Sequence, residues 1–282
     1  MPDRLNVDIL TPDAVTAKAE ETGVKKAKNT LRSTVMLGIL AGAFIALAGE
    51  FYTMVVFSSH LGYSIERLLG GLVFSLGLIL VIITGAELFT GNTLLLIAYM
   101  TKKINLQDLL RNWSLVYLGN LIGAVFVALM VYYSRQWALK DFAFAVEALK
   151  IGTAKVNNDF ITAMVRGILA NLLVVLAVWL SYSGRTLTDK VLAVVFPISA
   201  FVASGFEHSI ANMYFIPFAL MLKANPQAHQ TYMASVPNGS LSGLTTSAFI
   251  LNNLIPVTIG NIIGGGVFVG LGYWFVYLYK RA

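Results

Sequence analysis

The apolar run Val191–Leu222 carries FVASGFEHSIANMY (201–214) at its centre. Glu207 and His208 therefore stand in the middle of about 30 hydrophobic residues, where about 20 suffice for a helix to cross a bilayer. The excess length, with Gly205 beside two ionisable side chains, predicts two half-helices joined by a break at mid-membrane. Non-helical backbone is tolerated at that depth only where protein buries it or where it lines a watery cavity. An ionisable group there marks a functional site before it marks anything else.

The surroundings agree. The chain is 57% hydrophobic and only 12% charged over 282 residues, which excludes a soluble domain and predicts a polytopic membrane protein. It has no cysteine, hence no disulfide and no thiol chemistry of its own. The formal net charge of +6 is the ordinary Lys/Arg surplus of cytoplasmic loops and gives no reason to expect nucleic acid as a partner. Residues 1–32 are polar, and the first thirty hold no apolar core, so the first span is expected to act as the insertion signal. Within them Thr11-Pro12-Asp13 reads as a helix start, with Val15, Ala19 and Val24 on one stripe of an amphipathic helix.

Six apolar stretches follow, at Thr34–Phe57, Leu68–Met100, Trp113–Tyr133, Phe160–Tyr182, Val191–Leu222 and Ala248–Tyr279. The second, like the fifth, is interrupted, at TGAELFTGN (84–92). The sixth carries Asn252, Asn253 and Pro256 early, so its first turns are expected at the membrane interface. With both termini cytoplasmic, the inner side collects most of the Lys and Arg, among them Arg4, Lys102, Lys103, Arg185, Lys280 and Arg281. The outer side keeps Arg67, Arg135, Lys140, Lys150, Lys155 and Lys223. That bias favours this orientation.

The two halves repeat. Gly38-Ile-Leu-Ala-Gly42 is echoed by Gly167-Ile-Leu-Ala-Asn171. Gly85-Ala-Glu87 with Asn92 is echoed by Gly205-Phe-Glu207 with Asn212, and Gly119-Asn-Leu-Ile-Gly123 by Gly260-Asn-Ile-Ile-Gly264. Three spans per half is an odd number, so the second half lies upside down relative to the first. The chain thus reads as an all-α membrane protein: a segment 1–32, then a six-helix unit 33–282. Its inverted three-helix repeats cover about 33–134 and 159–280, with two broken helices in matching places.

The same residues carry a family resemblance. Gly77-Leu-Ile-Leu through Gly85-Ala-Glu-Leu-Phe-Thr90, Ser181-Tyr-Ser-Gly-Arg185, Ala203-Ser-Gly-Phe-Glu-His-Ser-Ile-Ala-Asn-Met213 and Asn253-Leu-Ile-Pro-Val-Thr-Ile-Gly-Asn-Ile-Ile-Gly-Gly-Gly266 resemble the formate/nitrite transporter family. The match runs from about residue 30 to the C-terminus, and within the family the chain looks most like the bacterial formate channels. The resemblance implies a homopentamer of aquaporin-like protomers in the bacterial inner membrane, surrounded by lipid. Each protomer would pass formate or related small monovalent anions or their acids, without a cofactor. Nitrite and hydrosulfide are the alternative substrates. It also implies that residues 1–32 take part in pH-dependent gating.

His208 is the central candidate, as proton relay or selectivity element, because imidazole changes charge near physiological pH. The alternative is a core histidine satisfied by backbone. Thr90 is its expected hydrogen-bond partner, since the repeat brings the two breaks together. Glu87 and Glu207 are expected to hold the breaks in shape by accepting loop backbone N–H bonds. Asn171 and Asn261 are placed near the pore by the resemblance, their alternative being interhelical hydrogen bonds. Lys155 would concentrate anions at the outer mouth. By resemblance, Phe74, Leu78, Leu88, Phe89, Val174 and Phe201 form apolar constrictions. The segments offer no metal-ligand cluster, which argues against an enzyme. Arg166 and Glu50 are left without a role.

Overall fold

The computed structural model describes residues 9–279, so Arg4, Lys280, Arg281 and the first eight residues of segment 1–32 lie outside it. Among the described residues all regular structure is helical. α1 (Pro12–Ala27) begins where the sequence indicates, with Pro12 at a position whose missing N–H has no intrahelical partner to lose. The Thr11 hydroxyl donates to Asp13 Oδ1 (2.5 Å) and caps nothing. Val15 and Ala19 are buried, and Val24 packs beside Leu95 and Ala98.

The membrane body starts with α2 (Leu31–Val56) and α3 (Tyr63–Thr84), then the short α4 (Phe89–Asn92) and α5 (Leu95–Met100), and α6 (Leu106–Tyr133). After α7 (Ala143–Val156), the second half runs through α8 (Phe160–Ser183), α9 (Leu187–Ala203) and α10 (Ser209–Ala224). The surface helix α11 (Pro226–Ser235) precedes α12 (Thr246–Tyr277). Among the described residues five helices are long and apolar enough to span a bilayer: α2, α3, α6, α8 and α12. The run Val191–Leu222 instead divides into α9 and α10, of 17 and 16 residues. α8 starts on Asp159, whose carboxylate takes the Thr162 backbone N–H (2.9 Å) and hydroxyl (2.6 Å). Those bonds hold its carboxyl below the usual carboxylate range.

Helix contacts follow the glycines. Gly38 meets Gly119 where α2 crosses α6, and a Cβ on Gly42 or Gly123 would overlap the Asn120 or Ile39 carbonyl. The second half repeats the crossing with α8 and α12. Gly167 meets Gly260 there, and a Cβ on Gly260 or Gly264 would overlap the Met164 or Ile168 carbonyl. Without a hydrophobic drive between helices in lipid, such close backbone approach is what holds them together. The two half-helix stems, α3 and α9, pack on each other through Gly71 and Ser199. Large apolar side chains face outward, among them Leu118, Ile122, Phe126, Phe196 and Phe268, a surface suited to lipid or to other copies of the chain.

Asn253, early in the sixth run, is fully buried within the protein. Phe249–Leu254 and Ile262–Leu271 are wound as π-helix, and the first of these wide turns carries the Asn253 amide inward to the Lys155 carbonyl (2.9 Å).

Gly123→Val places a branched side chain against the Ile39 carbonyl and is expected to destabilise the fold by about 1–3 kcal/mol or more. Gly272→Ala meets open space and should be neutral or slightly stabilising, since alanine is the better helix former by about 0.5–1 kcal/mol. Thermal unfolding in detergent separates the two; equal midpoints would refute the close-approach account.

Candidate functional site

Each break begins with a glycine in the left-handed region, Gly85 at φ 74° and Gly205 at φ 72°, a conformation costly for any residue with a Cβ. The chain then runs extended to Leu88 and to His208, the residues that precede α4 and α10. Backbone groups left without helical partners are taken up by matching bonds. Glu87 N–H donates to Leu37 O (3.1 Å) and Glu207 N–H to Arg166 O (3.3 Å). Asn120 donates to Gly38 O (2.7 Å) and Glu87 O (2.9 Å), and its Oδ1 accepts from Phe89 N–H (3.0 Å). Asn261 does the same with Gly167 O (2.8 Å), Glu207 O (3.1 Å) and Ser209 N–H (2.9 Å). One asparagine therefore pins each break to the helix beside it.

The glutamates sit in a second pair of matched networks. Glu87 accepts from Asn92 Nδ2 (2.6 Å) and meets Lys26 Nζ (3.4 Å), while Asn112 accepts from Asn92 (2.9 Å) and donates to Lys26 O (3.2 Å). Glu207 accepts from Asn212 Nδ2 (2.7 Å) and meets Lys155 Nζ (3.2 Å), while Asn253 accepts from Asn212 (2.7 Å) and donates to the Lys155 carbonyl. This corrects the sequence expectation: the carboxylates are met by side-chain amides and a lysine, and among the described residues no loop N–H reaches them. The correspondence also extends upstream of the repeats as first drawn, to Lys26 on α1 and Lys155 on α7.

His208 and Thr90 meet across the two breaks, Nε2 to Oγ1 at 2.9 Å. His208 Nδ1 accepts the Ala211 backbone N–H (3.2 Å), capping α10. That acceptor role leaves the ring hydrogen of the neutral imidazole on Nε2, which donates to Thr90. The Thr90 hydroxyl hydrogen is then free for another acceptor.

Asn171 and Asn261 bond to backbone at and beside the breaks. Both are fully buried, and their amide hydrogens go to backbone: Asn171 to Thr90 O (3.2 Å) and Asn261 O (2.6 Å), Asn261 as above. They brace the site from behind. Phe89 packs away from the breaks. Its ring lies edge-on to Tyr117 (4.8 Å) and Trp113 (5.9 Å), wedged against α6. The Trp113 indole donates to Asn92 O (2.9 Å).

A cavity of about 440 Å³ opens beside His208 on the Lys155 side. Phe74 and Phe201 stand edge-to-face within its lining (5.8 Å), and Phe201 reaches the His208 ring (5.9 Å). Leu78, Leu88 and Val174 are each 2% exposed and belong to the same apolar cluster. Lys155 lines the cavity and packs its Nζ over the Phe215 ring (5.3 Å). Arg166 lies at the cavity's edge, bonded to Asn158 (3.0 Å), and Glu50 accepts from Gln136. Sequence reasoning missed Asn120, Asn112, Asn253, Lys26, Tyr52 and Arg67. Asn120 was readable as the repeat mate of Asn261, whereas Arg67 looked like any loop cation.

The model of the formate/nitrite transporter family matches residues 13–275. The formate channel FocA of Escherichia coli K12 is 46% identical over 274 residues, covering 96% of this chain and 95% of that one. FocA of Haemophilus influenzae is 40% identical, with 95% of each chain covered. Among solved structures, a pentameric formate channel with formate bound superposes with a TM-score of 0.82 at 44% identity, covering 88% of this chain and 98% of the other.

Asn261→Ala tests whether this residue braces or conducts. It strands Gly167 O, Glu207 O and Ser209 N–H, each costing about 1–3 kcal/mol when buried unpaired. The expected result is a markedly lowered unfolding midpoint together with lost flux. Altered flux at unchanged stability would support the pore-lining role.

Proposed function

The chain belongs to the formate/nitrite transporter family, and on that footing we propose that it is a pentameric channel passing formate and similar small monovalent anions or their acids. It is a multi-pass membrane protein. We place it in the bacterial inner membrane with both termini cytoplasmic, on the Lys/Arg bias of its loops. The observation that carries the reading is the His208–Thr90 contact joining the two breaks, beside a cavity that holds Lys155 and the apolar Phe74–Phe201 pair.

An anion entering from the Lys155 side meets positive potential first and the phenyl rings next. Carrying a bare charge past them costs several kcal/mol unless donors replace its water. Thr90 is positioned to supply one: its oxygen accepts from His208 Nε2, and its hydrogen is free for the substrate. In this geometry His208 acts as a selectivity element through Thr90. To serve as a proton relay it must also take up a proton at Nδ1, which first requires breaking the bond from Ala211 N–H. Phe74, Leu78, Leu88, Val174 and Phe201 form the apolar constriction that excludes larger solutes, and Phe89 supports it from α6.

The N-terminal helix is the gate in this account. Lys26 ties α1 to Asn92 (2.7 Å) and Glu87, and Lys103 meets Glu20 (2.6 Å), so α1 is seated on the break opposite the Lys155 cavity.

In proteoliposomes, formate flux should exceed that of nitrite and hydrosulfide and change between pH 7 and pH 5. His208→Ala should alter that pH response or lower formate-over-nitrite selectivity, the latter by about tenfold, the equivalent of one hydrogen bond to a charged group. Unchanged flux and pH profile would remove His208 from the mechanism. Deleting residues 1–32, or substituting Glu20→Gln to loosen the seat, should relax closure at acidic pH; an identical response would remove the gate.

A further inference from the structure

The cavity beside His208 is lined by four cations (Arg67, Lys150, Lys155 and Arg166) and two carboxylates, Glu147 and Glu207. Lys150 pairs with Glu147 (3.5 Å) and Lys155 with Glu207 (3.2 Å). Among the described residues neither arginine makes an ion pair with a carboxylate. The uncompensated charge facing an entering anion is therefore arginine. Arg166 is exposed at the rim. Arg67 is half-buried and built into the wall.

Arg67 has three bonds there. Nη2 donates to Val202 O (2.6 Å), Nε to Ala203 O (3.1 Å) and Nη1 to Tyr52 Oη (2.9 Å). The two carbonyls end α9 at the break, where the partial negative charge of a helix C-terminus would repel an anion. The guanidinium covers that end. Two of its five N–H groups remain for a ligand. Tyr52 Oη accepts from Arg67, so its own hydrogen is left to donate, and the charge behind it strengthens that donation. The Tyr52 ring stands edge-on to Phe215 (6.0 Å), the ring beneath Lys155 Nζ. Donors of three kinds thus surround one stretch of cavity, outside the Phe74–Phe201 pair.

We propose that Arg67 and the Tyr52 hydroxyl, with Lys155 across Phe215, form a docking subsite for a small monovalent carboxylate or similar anion before it reaches the constriction. The subsite deepens the channel reading and rests on it. It belongs to one mouth only. At the register of Arg67 the second repeat has Leu187, and at that of Tyr52 it has Ser181, whose hydroxyl donates to its own helix at Val178 O (2.6 Å). The inverted repeat is asymmetric at this point.

Planar-bilayer recordings with formate varied on each face in turn test the subsite, using wild type, Tyr52→Phe, Arg67→Gln and Arg67→Lys, each checked for pentamer assembly. Tyr52→Phe should raise the half-saturating formate concentration about threefold and Arg67→Gln about tenfold, on one face only, with maximal current changed far less. Arg67→Gln should also flatten the dependence of that concentration on ionic strength. Arg67→Lys should recover the salt dependence but not the full affinity, because a single ammonium lacks the planar fork. If Arg67→Gln fails to assemble, Tyr52→Phe decides, since it leaves the α9 cap in place. A wild-type formate current with half-saturation unchanged in the variants, or changed equally on both faces, overturns the subsite alone. No formate current in wild type overturns the channel reading as well.

Discussion

An interrupted helix inside a membrane leaves backbone groups that lipid cannot satisfy, and everything near the centre of this protein answers that constraint. Asn120 and Asn261 answer it most directly. Each reaches across from a helix that crosses its neighbour at glycines, and each bonds one N–H and one carbonyl of a break and one carbonyl of the helix it crosses. The glycine crossings bring α6 and α12 close enough for that reach. Packing and polar satisfaction are one arrangement here, since a side chain at Gly42 or Gly123 would push the asparagine helix away.

With the breaks fixed, the functional groups fall into place by symmetry and then depart from it. Lys26, Glu87, Asn92 and Asn112 have counterparts in Lys155, Glu207, Asn212 and Asn253. The position of Leu88 in the first break is held by His208 in the second. A scaffold that repeats itself thus presents a polar face on one side and an apolar one on the other, and Thr90 bridges them. The repeat departs from symmetry at His208 against Leu88 and at Arg67 against Leu187. α1 belongs to the symmetric part: through Lys26 it does for the first break what α7 does for the second.

Much of this was legible in the sequence. Hydrophobic runs too long for one span, each with Gly-x-Glu near its middle, located both breaks. The echoed glycine motifs gave the repeat and its inversion, and the Thr90–His208 contact followed from it. The roles of single polar residues were harder to read. Asn171 and Asn261 donate to carbonyls, a bracing role that their apolar neighbourhoods do not signal. Glu87 and Glu207 bind asparagines on the following half-helix, five residues along the chain, which no local pattern signals. Phe89 follows Leu88 yet turns to Trp113 and Tyr117. Arg67 caps a helix end more than a hundred residues away, and nothing in its own neighbourhood distinguishes it from a loop cation.

The central claim is that His208 and Thr90 act on the passing anion as one unit. A double-mutant cycle measures this directly, with formate-over-nitrite flux ratios for wild type, Thr90→Val, His208→Ala and the double variant in assembled pentamers. Strong non-additivity, with the double variant no worse than the more damaging single one, is the predicted result. Independent, multiplying effects would show that the two side chains act separately and that the bond between the breaks only holds the structure together.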